Sequence, residues 1–129
     1  VFDCKSENII LIDPYSETYC ESVLGDYSQL MQSAVSYYEL INNMGETFIK
    51  NIEAIDQFDV PKGLRSFGSS LINKLSGLDS EKTLILNLFH AGQFIRMFPF
   101  KIDKTPRLAV YFLLHGLNLI IDSLENAKN

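Results

Sequence analysis

The feature that most constrains the fold is a nearly continuous apolar stretch near the C-terminus. From residue 108 to residue 121 only three side chains are not apolar, and the dipeptide Thr105-Pro106 precedes this stretch. Proline is typical of the first position of a helix, because its missing N–H would have no helical partner there. A helix that is apolar nearly all round is buried within a bundle, and about 14 residues are too few to span a membrane. We therefore predict a buried C-terminal helix over about 106–126 as the hub of the core.

The rest of the chain also has helical periodicity. Apolar residues recur every three or four positions up to Met44, which predicts an amphipathic helix over about 17–44 whose polar face carries Ser28, Gln32 and Ser36. Similar stripes predict helices over about 46–57, 63–76 and 80–97, the last with Asp79 or Ser80 as its N-cap. The sequence thus predicts one all-α domain over residues 1–129. It consists of a compact bundle of about five helices at 17–129 and an N-terminal arm at 1–16.

Two cysteines, Cys4 and Cys20, lie in the N-terminal segment. An even number of closely spaced cysteines is typical of a disulfide in a secreted chain, and the chain begins at Val1 with no signal peptide. We therefore expect a secreted, extracellular protein whose N-terminal arm is pinned to the first helix by a Cys4–Cys20 disulfide. The alternatives are two free thiols and a piece cut from a longer protein.

Charge is distributed unevenly between the two halves of the chain. Residues 1–60 hold eleven acidic and two basic side chains, whereas residues 61–129 hold nine basic and five acidic ones. The two halves either pair their charges within the fold, or the basic stretch binds an acidic partner. The net charge of −5 makes nucleic acid and anionic membranes poor candidates for that partner.

Patterns that carry chemistry are missing from the sequence. His90 and His115 lie on predicted buried helices without the spacing of metal ligands, so we expect them to be core histidines with hydrogen-bond partners. Nucleophile elbows, phosphate-binding loops and dinucleotide motifs do not occur. We therefore predict a protein that is not an enzyme and that has no catalytic residues, no metal site and no cofactor.

Aromatic and basic residues are concentrated between the last two predicted helices. Exposed aromatic side chains rimmed by cations are typical of protein-binding hot spots. This predicts a partner-binding surface formed by Arg96, Phe98, Phe100, Lys101, Lys104 and Arg107. Two other interpretations remain for the phenylalanines: they form an ordinary core, or they line a cavity near Phe94 for a lipid or another small apolar ligand.

The chain has a general resemblance to a known class of proteins. The resemblance rests on its small size, its lack of an initiator methionine, the Cys4 and Cys20 arm and its helix-only pattern. It is similar to the small helical salivary proteins of blood-feeding insects, which include inhibitors of complement and of the contact pathway of coagulation. The resemblance implies a non-enzymatic effector that blocks a host plasma protein through a rigid helical surface, and it carries over no functional residue. The alternatives are a carrier of a small apolar ligand and an intracellular bundle that binds an amphipathic helix.

Overall fold

The fold is helical throughout most of the chain that can be described. A computed structural model describes residues 2–3, 8–9, 23–50 and 59–127. The helices within these ranges are α1 (Val23–Ala34), α2 (Tyr38–Met44), α3 (Glu46–Lys50), α4 (Lys62–Leu75), α5 (Ser80–Ile95), α6 (Phe98–Lys101) and α7 (Pro106–Asn126). Two two-residue strands, β1 (Phe2–Asp3) and β2 (Asn8–Ile9), pair antiparallel. The predicted all-α fold class is confirmed, and each of the five predicted helices has a counterpart.

Local sequence signals account for the ends of the long helices. Asp79 caps α5, since its carboxylate accepts a hydrogen bond from the backbone N–H of Lys82 at 2.8 Å. Pro106 opens α7 as predicted, although Thr105 makes no side-chain capping bond. Capping of this kind contributes about 1 kcal/mol to a helix. Cys4, Cys20 and most of the proposed arm at 1–16 lie outside the described residues, so the disulfide remains a prediction. The same holds for residues 17–22 and 51–57 of the first two predicted helices.

The predicted helix at 17–44 is wrong in one respect, because the chain breaks between α1 and α2. The backbone N–H groups of Val35 and Ser36 both donate to the carbonyl of Met31, which closes the end of α1. Tyr37 then adopts a left-handed conformation with φ of 53°, which costs a residue with a side chain about 1–2 kcal/mol. The break redirects α2 so that Ile41 reaches the core.

Two apolar clusters hold the helices together. α5 packs against α7 on one side and α1 on the other, and α1 in turn packs on α4. The first cluster joins α2, α5 and α7 and consists of Ile41, Phe94, Leu108 and Phe112. The second joins α1, α4 and α5 and consists of Met31, Leu71, Leu75 and Leu86. The core therefore depends on α1 and α5 as much as on α7, which was predicted to be its hub.

The prediction that the C-terminal helix is buried nearly all round is wrong for one of its faces. Leu108, Ala109 and Phe112 are buried against the rest of the bundle, with exposures of 1% or less. The opposite face leaves five large apolar side chains exposed by 42–55%, namely Val110, Leu114, Leu117, Ile121 and Leu124. The stretch therefore has two apolar faces, and only one of them packs within this chain.

Length and composition alone would also allow α7 to cross a membrane. Within the described ranges it is the one helix that meets both criteria, and 28% of its most apolar window is buried. The count of about 14 residues missed this, because a span tolerates the few polar residues that follow Ile121. A core helix passes the same test, and the buried face of α7 serves the core.

α5 and α7 approach each other closely at Gly116. A Cβ atom at this position would lie 2.7 Å from Cγ1 of Ile95 and 2.9 Å from the carbonyl oxygen of Ala91. Both distances are shorter than van der Waals contact, so a larger residue would push the two helices apart. Glycine is therefore required at this position by packing, and not by backbone conformation.

We expect Gly116→Ala to lower the free energy of unfolding by about 1–3 kcal/mol, because of the overpacking between α5 and α7. The matched control is Gly92→Ala on α5, since a Cβ atom there meets nothing within 4 Å. That control should stabilise the protein by about 0.5–1 kcal/mol through helix propensity alone. Urea unfolding of both variants measures the difference, and equal effects of the two substitutions would contradict the close packing at Gly116.

Candidate functional site

The predicted partner-binding residues lie together at one corner of the bundle. We call the set Arg96, Phe98, Phe100, Lys101, Lys104 and Arg107 the basic–aromatic corner. α6 carries three of these residues directly after α5, and a turn leads from α6 to the start of α7. Pro99 stands at the start of α6, and the turn is closed by bonds from the N–H groups of Lys104 and Thr105 to the carbonyl of Lys101, at 3.1 and 2.8 Å. The corner thus lies between the packed helices α5 and α7, and hydrogen bonds within its own backbone hold it in shape.

Four of the six corner residues face solvent. Phe100 is 73% exposed, the highest value among the large hydrophobic side chains of the described residues. Arg96, Lys104 and Arg107 are also exposed, whereas Phe98 is half-buried. An exposed aromatic side chain flanked by exposed cations is typical of a surface that binds another protein.

Lys101 differs from the other corner residues because its charge points into the fold. Its ammonium group donates a hydrogen bond to Oδ1 of Asn42 at 2.5 Å. The same nitrogen lies 5.9 Å from the ring centroids of Tyr38 and Phe112, within the range of cation–π attraction. Lys101 therefore joins α6 to α2 and α7, and replacing it would disturb the fold as well as any partner.

Tyr38 connects the corner to the core. Its ring contacts Phe94 and Phe112 at centroid distances of 6.2 and 5.2 Å. Burial raises the pKa of the Tyr38 phenol, Glu39 raises it further, and the positive charge of Arg96 partly offsets both effects. Arg96 is thus close enough to Tyr38 to act on it electrostatically while its side chain remains exposed.

An apolar groove adjoins the corner and was not predicted from the sequence. It has a volume of about 440 Å³ and is lined by Ile49, Pro106, Arg107, Val110, Tyr111 and Leu114. The groove runs between α3 and the first half of α7, and it shares Arg107 with the corner. Partial burial raises the pKa of Tyr111. Ile49 and Val110 are 61 residues apart in the sequence, so no local pattern indicates that they line one surface.

The two histidines lie close together, and both contact the side chain of Ser36, which the sequence did not indicate as a partner. Oγ of Ser36 lies 3.0 Å from Nε2 of His90 and 3.5 Å from Nε2 of His115. The ring of Phe94 contacts both imidazoles, at centroid distances of 5.7 and 4.6 Å, and Tyr111 stacks on His115. The signal is not local, because Ser36 precedes His90 by 54 residues.

The environment of this cluster keeps the histidines neutral near pH 7. Burial, with a smaller contribution from His115, lowers the pKa of His90 from 6.5 to about 4. Burial also lowers the pKa of His115. A neutral His90 beside a serine hydroxyl has the geometry of a base next to a nucleophile. However, the two imidazoles contact aromatic rings, and their hydrogen bonds within the described residues go to Ser36 and not to a carboxylate that would orient the base.

The expectation of core histidines with hydrogen-bond partners is confirmed for His90, which is 3% exposed and bonded to Ser36. His115 makes a longer contact with the same hydroxyl and is only half-buried. Among the described residues, no group of three His, Cys, Asp or Glu side chains lies close enough to hold a metal ion. The Ser36 hydroxyl thus joins the turn between α1 and α2 to α5 and α7.

The interpretation of Phe94 as part of an ordinary core agrees with its surroundings, whereas a ligand cavity in the core stays a prediction. Phe94 is fully buried and contacts the rings of Tyr38, Phe112, His90 and His115. An open apolar concavity of the described residues lies elsewhere, in the groove beside the corner. Comparison of the chain with protein-family models, with curated proteins and with solved structures gives no match.

Proposed function

We propose that this protein is a secreted, non-enzymatic binding protein that blocks an extracellular host protein through the basic–aromatic corner. The observation that carries the proposal is Phe100, which is 73% exposed on a short helix. The exposed cations Arg96, Lys104 and Arg107 flank it in the sequence. The partner is expected to present an acidic surface with an apolar pocket that accepts the Phe100 ring. A plasma protein of the complement or contact pathway fits the resemblance to salivary inhibitors.

Rigidity supports this assignment. The backbone of the corner is closed by hydrogen bonds, and Lys101 ties α6 to Asn42 on α2. A surface that is already ordered loses little conformational entropy when it binds, so more of the contact energy appears as affinity. The cations add attraction at a distance and speed association, and salt weakens that part of the interaction.

Capture from animal plasma on the immobilised protein, at low and at moderate salt, tests this function. We expect one enriched plasma protein whose retention falls as salt rises, and we expect the double variant Phe100→Ala with Lys104→Glu to lose at least about nine-tenths of it. The matched control is Phe67→Ala with Lys62→Glu, which changes the same residue types at exposed positions of α4.

Equal retention by the corner variant and by the control would remove the corner from the function. Background retention by the wild-type protein would overturn the proposal as a whole. In that case the groove beside α7 would become the candidate site for a small apolar ligand, and extraction of the purified protein for bound lipid would follow.

A further inference from the structure

The exposed face of α7 has the spacing of a coiled-coil seam. Its five apolar side chains, which we call the α7 seam, are Val110, Leu114, Leu117, Ile121 and Leu124. They are separated by four, three, four and three residues, which is the heptad pattern of a helix that packs against one other helix. The pattern is distinct from the core face of α7, which carries Leu108, Ala109 and Phe112. A monomer has no use for a second, regular apolar stripe along the same helix.

The charges of α7 are arranged against its own dipole. Lys104 and Arg107 lie at its N-terminal end, and Asp122 and Glu125 lie near its C-terminal end, all exposed. The first turn of α7 holds no acidic residue and the last turn no basic one. A helix alone is stabilised by the opposite arrangement, with anions at its N-terminus and cations at its C-terminus. A second helix that runs antiparallel would bring acidic residues to the N-terminal end of α7 and basic residues to its C-terminal end.

We propose that α7 pairs with α7 of a second copy of this chain to form an antiparallel, twofold-symmetric dimer. The heptad spacing gives a self-complementary register in which Leu114 packs on Leu117 of the other copy. In the same register Val110 packs on Ile121 of the other copy. Arg107 then lies at the end of the seam where the other copy carries Leu124 and Glu125. A parallel pair would instead place Arg107 beside Arg107 and Glu125 beside Glu125, which charge repulsion disfavours. Charge thus selects one orientation of the two that the apolar seam allows.

The size of the seam predicts a weak dimer. Residues 110–124 cover about 20 Å of helix, so the buried area is expected near the low end of specific interfaces, about 1,200 Å². Weak and transient complexes occupy this low end of interface size, so we expect a dissociation constant in the micromolar range. The apolar seam does not depend on the proposed function, since Leu117 and Ile121 lie outside the basic–aromatic corner. Arg107 belongs to both surfaces, so Leu117→Glu is the variant that tests the dimer alone.

A lipid bilayer is the competing occupant of the seam. To enter it, α7 would have to leave α5, because its other face is buried by Leu108, Ala109 and Phe112. It would also carry Asp122 and Glu125 close to the acyl chains, where a carboxylate is costly. A second copy buries the same apolar side chains without breaking the core.

Analytical ultracentrifugation across a wide range of protein concentrations tests the dimer. We expect the wild-type mass to rise from 14.7 kDa to about twice that value, as a C2 dimer requires. Leu117→Glu should raise the dimer dissociation constant at least about tenfold, and the control Ile72→Glu, at a similarly exposed position on α4, should leave it unchanged. Circular dichroism shows whether each variant remains folded. A wild-type protein that stays monomeric at every concentration would overturn the proposal.

Charge exchange tests the orientation without relying on an apolar-to-charged substitution. Arg107→Glu and Glu125→Lys should each weaken the dimer, and the two together should restore it, because an antiparallel pair then carries the same complementary charges reversed. Failure of the double variant to restore the dimer would overturn the antiparallel register. Binding of a monomeric wild-type protein to phosphatidylcholine vesicles, lost in Leu117→Glu, would replace the second copy by a lipid surface.

Discussion

Acidification from pH 6.5 to pH 4 is expected to lower the free energy of unfolding by about 3 kcal/mol through His90 alone. In the unfolded chain this imidazole takes up its proton near the ordinary pKa of 6.5, whereas burial in the folded protein lowers its pKa to about 4. The unfolded state therefore binds more protons between these two values, and folding stability falls as the pH falls. His115 contributes in the same direction, because burial lowers its pKa as well.

Urea unfolding at a series of pH values measures this effect. The wild-type protein should lose stability between pH 6.5 and 4, and the loss through His90 should level off below its folded pKa of about 4. His90→Gln keeps a polar side chain beside Ser36 but has no proton to exchange, so most of this pH dependence should disappear, together with some stability at pH 7. A variant that keeps the full slope would show that His90 does not titrate as its burial requires.

Removal of the Phe94 ring is expected to destabilise the fold by about 3–5 kcal/mol. Phe94 is fully buried and sits between Tyr38, Phe112 and both histidines. Phe94→Ala would leave a cavity that these rings cannot fill, and a loss of this size is a large fraction of the stability of a small domain.

Phe100 provides a control with the same chemistry. It is 73% exposed, so Phe100→Ala should change the free energy of unfolding by no more than about 0.5 kcal/mol. Thermal or urea unfolding of the two variants gives the comparison. A small loss of stability in Phe94→Ala would contradict the placement of Phe94 in the core. A large loss in Phe100→Ala would contradict the exposure of Phe100.

Local signals allowed much of the helical order to be predicted. The cap at Asp79 and the proline at position 106 act over a single turn of chain, so both helix starts could be predicted from sequence. The break at Tyr37 could not, because it depends on the directions in which α1 and α2 pack and not on a helix-breaking residue.

Two side chains on the predicted polar face of α1 are buried and not exposed to solvent. Ser28 and Gln32 were expected on a polar, solvated face, but they are 0% and 6% exposed. The amide of Gln32 donates to the carbonyl of Gln93 at 3.1 Å, and the amide of Gln93 donates to Oγ of Ser28 at 3.0 Å. Polar residues can be buried where such bonds form, and the partner on α5 is 61 residues away.

Four of the six predicted corner residues are exposed, as a binding surface requires, and their role in binding stays a prediction. The concentration of aromatic and basic residues between the last two long helices marked the corner. The inward direction of Lys101 depends on Asn42, and the groove depends on α3 meeting α7. The two faces of α7 could not be separated by composition, because both are apolar and only the tertiary structure decides which one is buried.

Hydrogen–deuterium exchange of the protein, alone and with its captured plasma partner, tests most directly whether the basic–aromatic corner is the binding surface. We expect the partner to slow exchange in residues 96–107, which include α6 and the turn into α7. Residues 62–75 on α4 should exchange at the same rate in both samples. Protection confined to α4 or to the distal half of α7, with no change over 96–107, would contradict the proposed function of the corner.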